Sequence, residues 1–253
     1  MTGANSDPFD VTCDTHCWVA EPSMTTGVVA PVAGAVNGTL FTFGGFVEYA
    51  GDLRAIPDVQ PYDPVTKGWT LRAPMPTPRF DFGVGVVNGV LYTVGGFSVN
   101  EVSHTVVAGS SVVEVFDPST DSWTTRAPMP TPRYGASVAV VNGVLYALGG
   151  QAQAIDAYDA RTNSWTTRSS APFAGEVCGV AVVNGLLHVA ARYGSTSTLM
   201  AYDPLTNQWT IEGPMPSTLY CDFGFSAVNG VLYATGGTNG SGKALTRVRS
   251  YAP

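Results

Sequence analysis

Residues 86–96 read VVNGVLYTVGG, and residues 140–150 read VVNGVLYALGG. In both, an apolar run leads into Asn-Gly, a second apolar run follows, and Gly-Gly ends the unit. Asn-Gly is the pair best suited to a type I′ turn, because both central residues need positive φ. The stretch is therefore a β-hairpin folded about Asn88-Gly89 or Asn142-Gly143. The same pair returns at Asn37-Gly38, Asn184-Gly185 and Asn229-Gly230, so five hairpins are expected along the chain. Gly-Gly follows at Gly44-Gly45, Gly95-Gly96, Gly149-Gly150 and Gly236-Gly237, but the fourth unit has Ala191-Arg192 instead.

Beyond each hairpin, Tyr62, Phe116, Tyr158 and Tyr202 each open a Tyr/Phe-Asp segment, and a Trp lies seven residues further on, at Trp69, Trp123, Trp165 and Trp209. A third and a fourth strand are implied. The fourth ends in a proline corner, Pro74-Met75-Pro76-Thr77-Pro78-Arg79 and again Pro128-Met129-Pro130-Thr131-Pro132-Arg133, where proline stops the ladder. A period of 42 to 54 residues holding four short strands is the mark of a propeller blade. The last unit stops at Tyr251-Ala252-Pro253 before any Trp, whereas Trp18 stands near the N-terminus with Glu21-Pro22-Ser23-Met24 after it. An N-terminal strand that completes the last blade would remove both unpaired edges and close the ring.

Gly-Gly after a hydrophobic strand, then Tyr, then Trp at fixed spacing resembles the kelch repeat, and the resemblance covers nearly the whole chain. It implies an all-β fold, a single five-bladed propeller of four-stranded antiparallel blades. The blades are expected at about 25–76, 79–130, 133–173 and 175–216, the fifth being formed by 219–253 plus 13–24. Fold does not bring function with it.

Composition narrows the field. Of 253 residues 45% are hydrophobic and only 12% are charged, against roughly 25% charged in an average domain, so most of the chain is interior or turn. With a net charge of −7 there is no basic field for nucleic acid or an anionic membrane surface. The N-terminus lacks the layout of a signal peptide, which leads to an expected cytoplasmic location, and a monomer is expected. Four cysteines, Cys13, Cys17, Cys178 and Cys221, are too few for a disulfide framework and read as free thiols, with Cys178 and Cys221 starting first strands in adjacent blades.

Function should gather where the pattern stops being uniform, at the start of each blade's first strand. There Arg79 and Asp81, Arg133 and Tyr134, Glu176 and Cys178, and Tyr220, Cys221 and Asp222 differ from blade to blade. They are expected to face one mouth of the central channel, with two guanidinium groups and three carboxylates converging. The Arg and Asp side chains would then either recognise a ligand or pair as blade-to-blade bridges, the usual fate of buried charge. Arg192, in place of a glycine, and Tyr193 beside it extend the same face as ligand-binding candidates, and His188 replaces the Tyr or Phe of the other blades as a packing substitute. The long segments from Gly45 to Tyr62 and from Gly96 to Phe116, the second holding His104, are candidate binding walls.

Two functions follow. One is recognition of a small polar or anionic ligand, or of a protein segment, using Arg79, Arg133, Arg192, Tyr193, His104, Cys178 and Cys221. The alternative is an isomerase, lyase or hydrolase in which Asp81, Asp222, Glu176, Tyr134 and Tyr220 do acid-base work, with Arg anion clamps and metal assistance as an option. Cys13-Asp14-Thr15-His16-Cys17 looks like a ligand cluster but lacks a second Cys pair. His104 with the carboxylates has donors for Fe or Zn without a supporting spacing. No metal residues are assigned, and no cofactor is named by the sequence.

Overall fold

The structure is a computed structural model and describes residues 20–49, 51–99, 105–107, 109–150, 152–172, 175–194, 196–215, 221, 223–237 and 248–253. Five antiparallel sheets follow one another along the chain. The first comprises Val32–Val36, Thr39–Phe43, Val59–Asp63 and Gly68–Trp69, and the second Gly83–Val87, Val90–Val94, Val113–Asp117 and Ser122–Thr125. The third comprises Ala136–Val141, Val144–Gly149, Ala152–Asp159 and Ser164–Ser170, and the fourth Glu176–Val183, Leu186–Tyr193, Thr196–Asp203 and Gln208–Pro214. The fifth has three described strands, Phe223–Val228, Val231–Gly236 and Val248–Tyr251. The first strand of each of the first four sheets packs along the first strand of the next, so these strands line an axis and the sheets are the blades of a five-bladed propeller.

The turns explain the repeat. Asn37, Asn88, Asn142, Asn184 and Asn229 all have φ between 50° and 52°, and residues on either side pair directly, Val36 with Thr39 and Val87 with Val90. Each Asn-Gly is thus a two-residue hairpin loop that fixes which face of its strands points inward. The Gly-Gly pairs answer to a neighbour. The Gly96 N–H donates to the Arg133 carbonyl of the next blade at 2.7 Å, and a Cβ on Gly95 would sit 2.7 Å from that same oxygen. Backbones approach too closely there for any side chain.

Apolar clusters fill the space between blades. One joins Tyr92, Val94, Val113 and Met129 of blade 2 to Leu145, Ala147 and Tyr158 of blade 3, and the next joins Tyr146 and Ile155 to Leu187, Met200 and Tyr202 of blade 4. Such blade-on-blade burial is the main stabilising term in a fold this poor in charge.

The last junction differs. The first strands of blades 5 and 1 do not meet over a length comparable with the other four junctions. Phe223–Val228 alternates between buried or half-buried and exposed residues, and Val248–Tyr251 is exposed throughout. Residues 20–24 lie against blade 1, where Glu21 accepts a hydrogen bond from the Tyr62 hydroxyl at 2.7 Å and pairs with Lys67 at 3.1 Å. Of the expected N-terminal segment 13–24, residues 13–19 lie outside the described ones, as does the Cys13–Cys17 cluster. Among the described residues no helix is long and apolar enough to cross a membrane.

Candidate functional site

The start of each first strand sets the rim of the axis. Four described residues hold equivalent places there, in blades 1 to 4: Ala30, Asp81, Gly135 and Glu176. The first three have left-handed φ of 51°, 54° and 56°, a turn that carries the chain from the outer corner into the axis. Asp81, Gly135 and Glu176 line one cavity of about 580 Å³ with Tyr134, Ser137, Gly150, Cys178 and Cys221. Asp81 is exposed to this mouth, yet the walls desolvate its carboxyl enough to raise its pKa above the ordinary aspartate value, an effect offset in part by the Gly135 N–H.

The mouth thus gathers five of the expected site residues: Asp81, Tyr134, Glu176, Cys178 and Cys221. Asp222, Tyr220 and His104 lie outside the described residues. Arg192 is half-buried and pairs in register with Glu176 on the neighbouring strand, while Tyr193 is 68% exposed at the strand end. Neither is part of the described cavity wall.

Arg79 and Arg133 are not at the mouth. Both are completely buried, and they bridge within a blade rather than between blades. Arg79 Nη2 pairs with Glu114 at 2.8 Å and donates to Thr93 at 2.9 Å, and Nη1 donates to the Gly95 carbonyl. Arg133 pairs with Asp156 at 2.8 Å and donates to the carbonyls of Gly149 and Ala154 at 2.7 and 2.6 Å. Each guanidinium ties the corner before its first strand to the second and third strands of the same blade, where several acceptors repay its desolvation. The signal was in the chain: Glu114 and Asp156 stand two residues before Phe116 and Tyr158, in the same two blades that carry the Arg. Blade 4 has Met200 at that place and no Arg at the corner before its first strand.

Cys178 and Cys221 are joined by a disulfide, Cα to Cα 4.5 Å, across the first strands of blades 4 and 5. This corrects the reading of these two residues as free thiols, since closeness in the ring, not in sequence, decides the pairing. His188 is buried, and its Nδ1 lies 3.0 Å from Glu212 Oε2. Blades 2 and 3 have Tyr92 and Tyr146 there with Arg126 and Arg168 nearby, so blade 4 exchanges both members of the pair.

An aromatic row escaped the sequence reading. Phe46 meets Phe80 at 5.0 Å between ring centroids, Phe80 stacks on Phe97 at 5.3 Å, and Phe97 stacks on Tyr134 at 4.5 Å. It runs over the mouth face from blade 1 to blade 3, and Gly-Gly-Phe in two blades with Arg-Phe and Arg-Tyr in the next was its signal. The long segments form two-stranded hairpins on this face, Phe46–Tyr49 with Asp52–Ala55 and Ser98–Val99 with Val106–Val107. A second cavity of about 520 Å³ lies between them, walled by Leu53, Arg54, Thr77 and Ser98. Among the described residues no group of three His, Cys, Asp or Glu could hold a metal ion.

A family model for the kelch motif matches residues 78–130 and 132–172, which are blades 2 and 3. Blades 2 and 3 are thus kelch repeats within a five-bladed propeller. An F-box/kelch-repeat protein of Arabidopsis thaliana is 36% identical over 117 residues, 46% of this chain and 30% of that protein. The kelch-like protein terF of Aspergillus terreus is 34% identical over 143 residues, covering 53% and 31%. The structure of YjhT matches with a TM-score of 0.73 at 18% identity, over 94% of this chain and 85% of that one, a likeness of fold. This chain spans less than a third of the length of the curated relatives it matches.

Proposed function

We propose that this kelch propeller recognises a small polar ligand, or a polar side chain of a protein segment, at the mouth of its axis. The carrying observation is that two carboxylates from different blades, Asp81 and Glu176, open into one cavity beside Tyr134, while both corner arginines are neutralised inside their blades. An unlike set at equivalent positions is unexplained by blade packing, which would repeat itself. The charge favours a ligand that brings positive charge or hydrogen-bond donors over the anion expected from the arginines, and the stacked Tyr134 ring offers a face to it. Calorimetric titration with spermidine, a neutral monosaccharide and citrate tests this. Binding of spermidine or the sugar, lost in Asp81→Asn and Glu176→Gln, is the expected result, and binding of citrate alone would overturn it.

A second reading, an isomerase, lyase or hydrolase at the same mouth, draws on the raised pKa of Asp81, which moves that carboxyl toward the range useful in proton transfer. Proton exchange into a bound sugar from deuterated water, lost in Asp81→Asn, is its test. We further propose that residues 13–24 complete blade 5 and hold the ring shut. For location we propose the cytoplasm for a reduced form only; the cross-linked form suits an oxidising compartment.

A further inference from the structure

At the rim of the axis, the junction between blades 4 and 5 is built unlike the others. In blades 1, 2, 3 and 5 the first strand pairs with the second without a break in register. In blade 4, Val177 pairs with Ala191 and Gly179 with Ala190, which leaves Cys178 over as the extra residue of a β-bulge. A bulge bends its strand and re-aims a side chain. Here the re-aimed side chain is the one bonded to Cys221 of blade 5. Gly179 follows it, and a Cβ added there would lie 2.7 Å from Phe225 Cβ of blade 5. The two first strands thus run closer together than a side chain at that position allows.

The bond stands where other blades use a backbone tie. Gly45 donates its N–H to the Arg79 carbonyl of blade 2 at 3.1 Å, and Gly96 donates to the Arg133 carbonyl of blade 3 at 2.7 Å. Blade 4 has Arg192 in the place of that second glycine, and there the Cys178–Cys221 bond spans the junction. Among the described residues the apolar contact behind it is small: Ala190 meets Phe223 and Ala234, and Ala181 and Leu199 meet Leu232. On its other side the first strand of blade 5 has no comparable contact with blade 1.

The same bond is part of the mouth. Cys178 and Cys221 are half-buried, and with Glu176 they wall the cavity that Asp81 and Tyr134 enter from blades 2 and 3. A small dithiol in the cavity therefore reaches the bond. Glu176 stands two residues before the bulge, so the position of its carboxylate depends on how Cys178 is held.

We propose that Cys178–Cys221 is a reversible redox latch that sets the shape of the mouth and, through it, the affinity for the ligand. The regulation rests on the ligand reading given above. Reduction breaks the Sγ–Sγ bond to give two thiols, and an external dithiol supplies the two electrons and two protons and leaves as its own disulfide. The bulge then relaxes, the first strand of blade 5 moves off that of blade 4, and Glu176 leaves its place among the mouth residues.

Amide hydrogen exchange on the full chain, oxidised and after dithiothreitol, tests the latch without any ligand. Exchange should rise roughly tenfold or more in residues 176–180 and 223–226, stay as it was in Gly83–Val87 of blade 2, and return with oxidised glutathione. In Cys178→Ser/Cys221→Ser the reductant should change nothing at this junction. Unchanged exchange in the reduced protein overturns the proposal. So does loss of protection in all blades together, which makes the bond a staple of the whole fold and not a local device. Titration with spermidine and with the neutral monosaccharide tests the regulation. The probe that binds the oxidised protein should bind the reduced one at least about fivefold more weakly. By reciprocity it should shift the thiol–disulfide equilibrium in a glutathione buffer toward the disulfide by the same factor. Equal affinity in both forms overturns the regulation and leaves the mouth reading intact. Binding in neither form overturns the mouth reading and the regulation with it, while the exchange result still decides the latch.

Discussion

Replacing Arg133 by Ala should destabilise the protein severely and leave the chemistry of the mouth unaltered in the molecules that remain folded. The guanidinium is fully buried and pairs with Asp156, itself fully buried, at 2.8 Å. It also satisfies the carbonyls of Gly149 and Ala154 at 2.7 and 2.6 Å. Without it, the Asp156 carboxylate keeps, among the described residues, the Thr167 hydroxyl at 2.9 Å in a region closed to water. Breaking a buried pair from one side costs about 3–5 kcal/mol, because the remaining charge is stranded. Replacing both partners by apolar residues, Arg133→Met with Asp156→Met, should recover most of this loss. Blade 4 already carries Met200, 1% exposed, at the place of Asp156, so the fold accepts the apolar version. Urea unfolding of the wild type, the two single variants and the double variant gives the coupling energy directly. A stability of Arg133→Ala within about 0.5 kcal/mol of wild type, the range of an ordinary surface substitution, would refute the argument and return the arginine to the mouth.

Three further outcomes follow from particular atoms. Because desolvation raises the Asp81 pKa in the folded state, folding takes up protons there as pH rises past the ordinary aspartate value. Asp81→Asn should therefore gain stability relative to wild type at neutral pH, and the gain should vanish below the unfolded aspartate pKa, as thermal melts across pH 3 to 7 would show. The Cys178–Cys221 bond spans 43 positions, for which the chain-entropy relation gives about 4 kcal/mol of stabilisation; urea midpoints with and without a dithiol reductant, alongside the Cys178→Ser/Cys221→Ser variant, measure it. A Cβ added at Gly83 would lie 2.2 Å from Val138 Cγ2 and 2.8 Å from the Ala136 carbonyl. Gly83→Ala should thus cost about 1–3 kcal/mol in the same unfolding assay through overpacking at the axis.

The hairpins were legible because their signal is local. Asn-Gly fixes a turn within four residues, and the φ values of 50° to 52° at all five Asn follow from that pair alone. The acidic mouth was legible in part: Asp81 and Glu176 stood out because no packing rule asks for them, and both line the cavity. The arginines were misplaced because their position just before the first strand was read as an outward direction. A long side chain at a corner reaches inward as easily when carbonyls and a carboxylate await it, and that direction depends on residues 35 and 23 positions away, Glu114 and Asp156. The disulfide was missed for a related reason. Cys178 and Cys221 were seen as neighbours in the ring, but sequence spacing carries no information on whether two thiols in adjacent blades come within bonding reach.

The row from Phe46 through Phe80 and Phe97 to Tyr134 makes one half of the opening stiff. A guest pressing on Tyr134 cannot turn that ring without shifting Phe97, and Phe97 and Phe46 root the two hairpins that rise over blades 1 and 2. Should a ligand fill the mouth as proposed, pressure on Tyr134 would fall first on this row and on the hairpins it anchors.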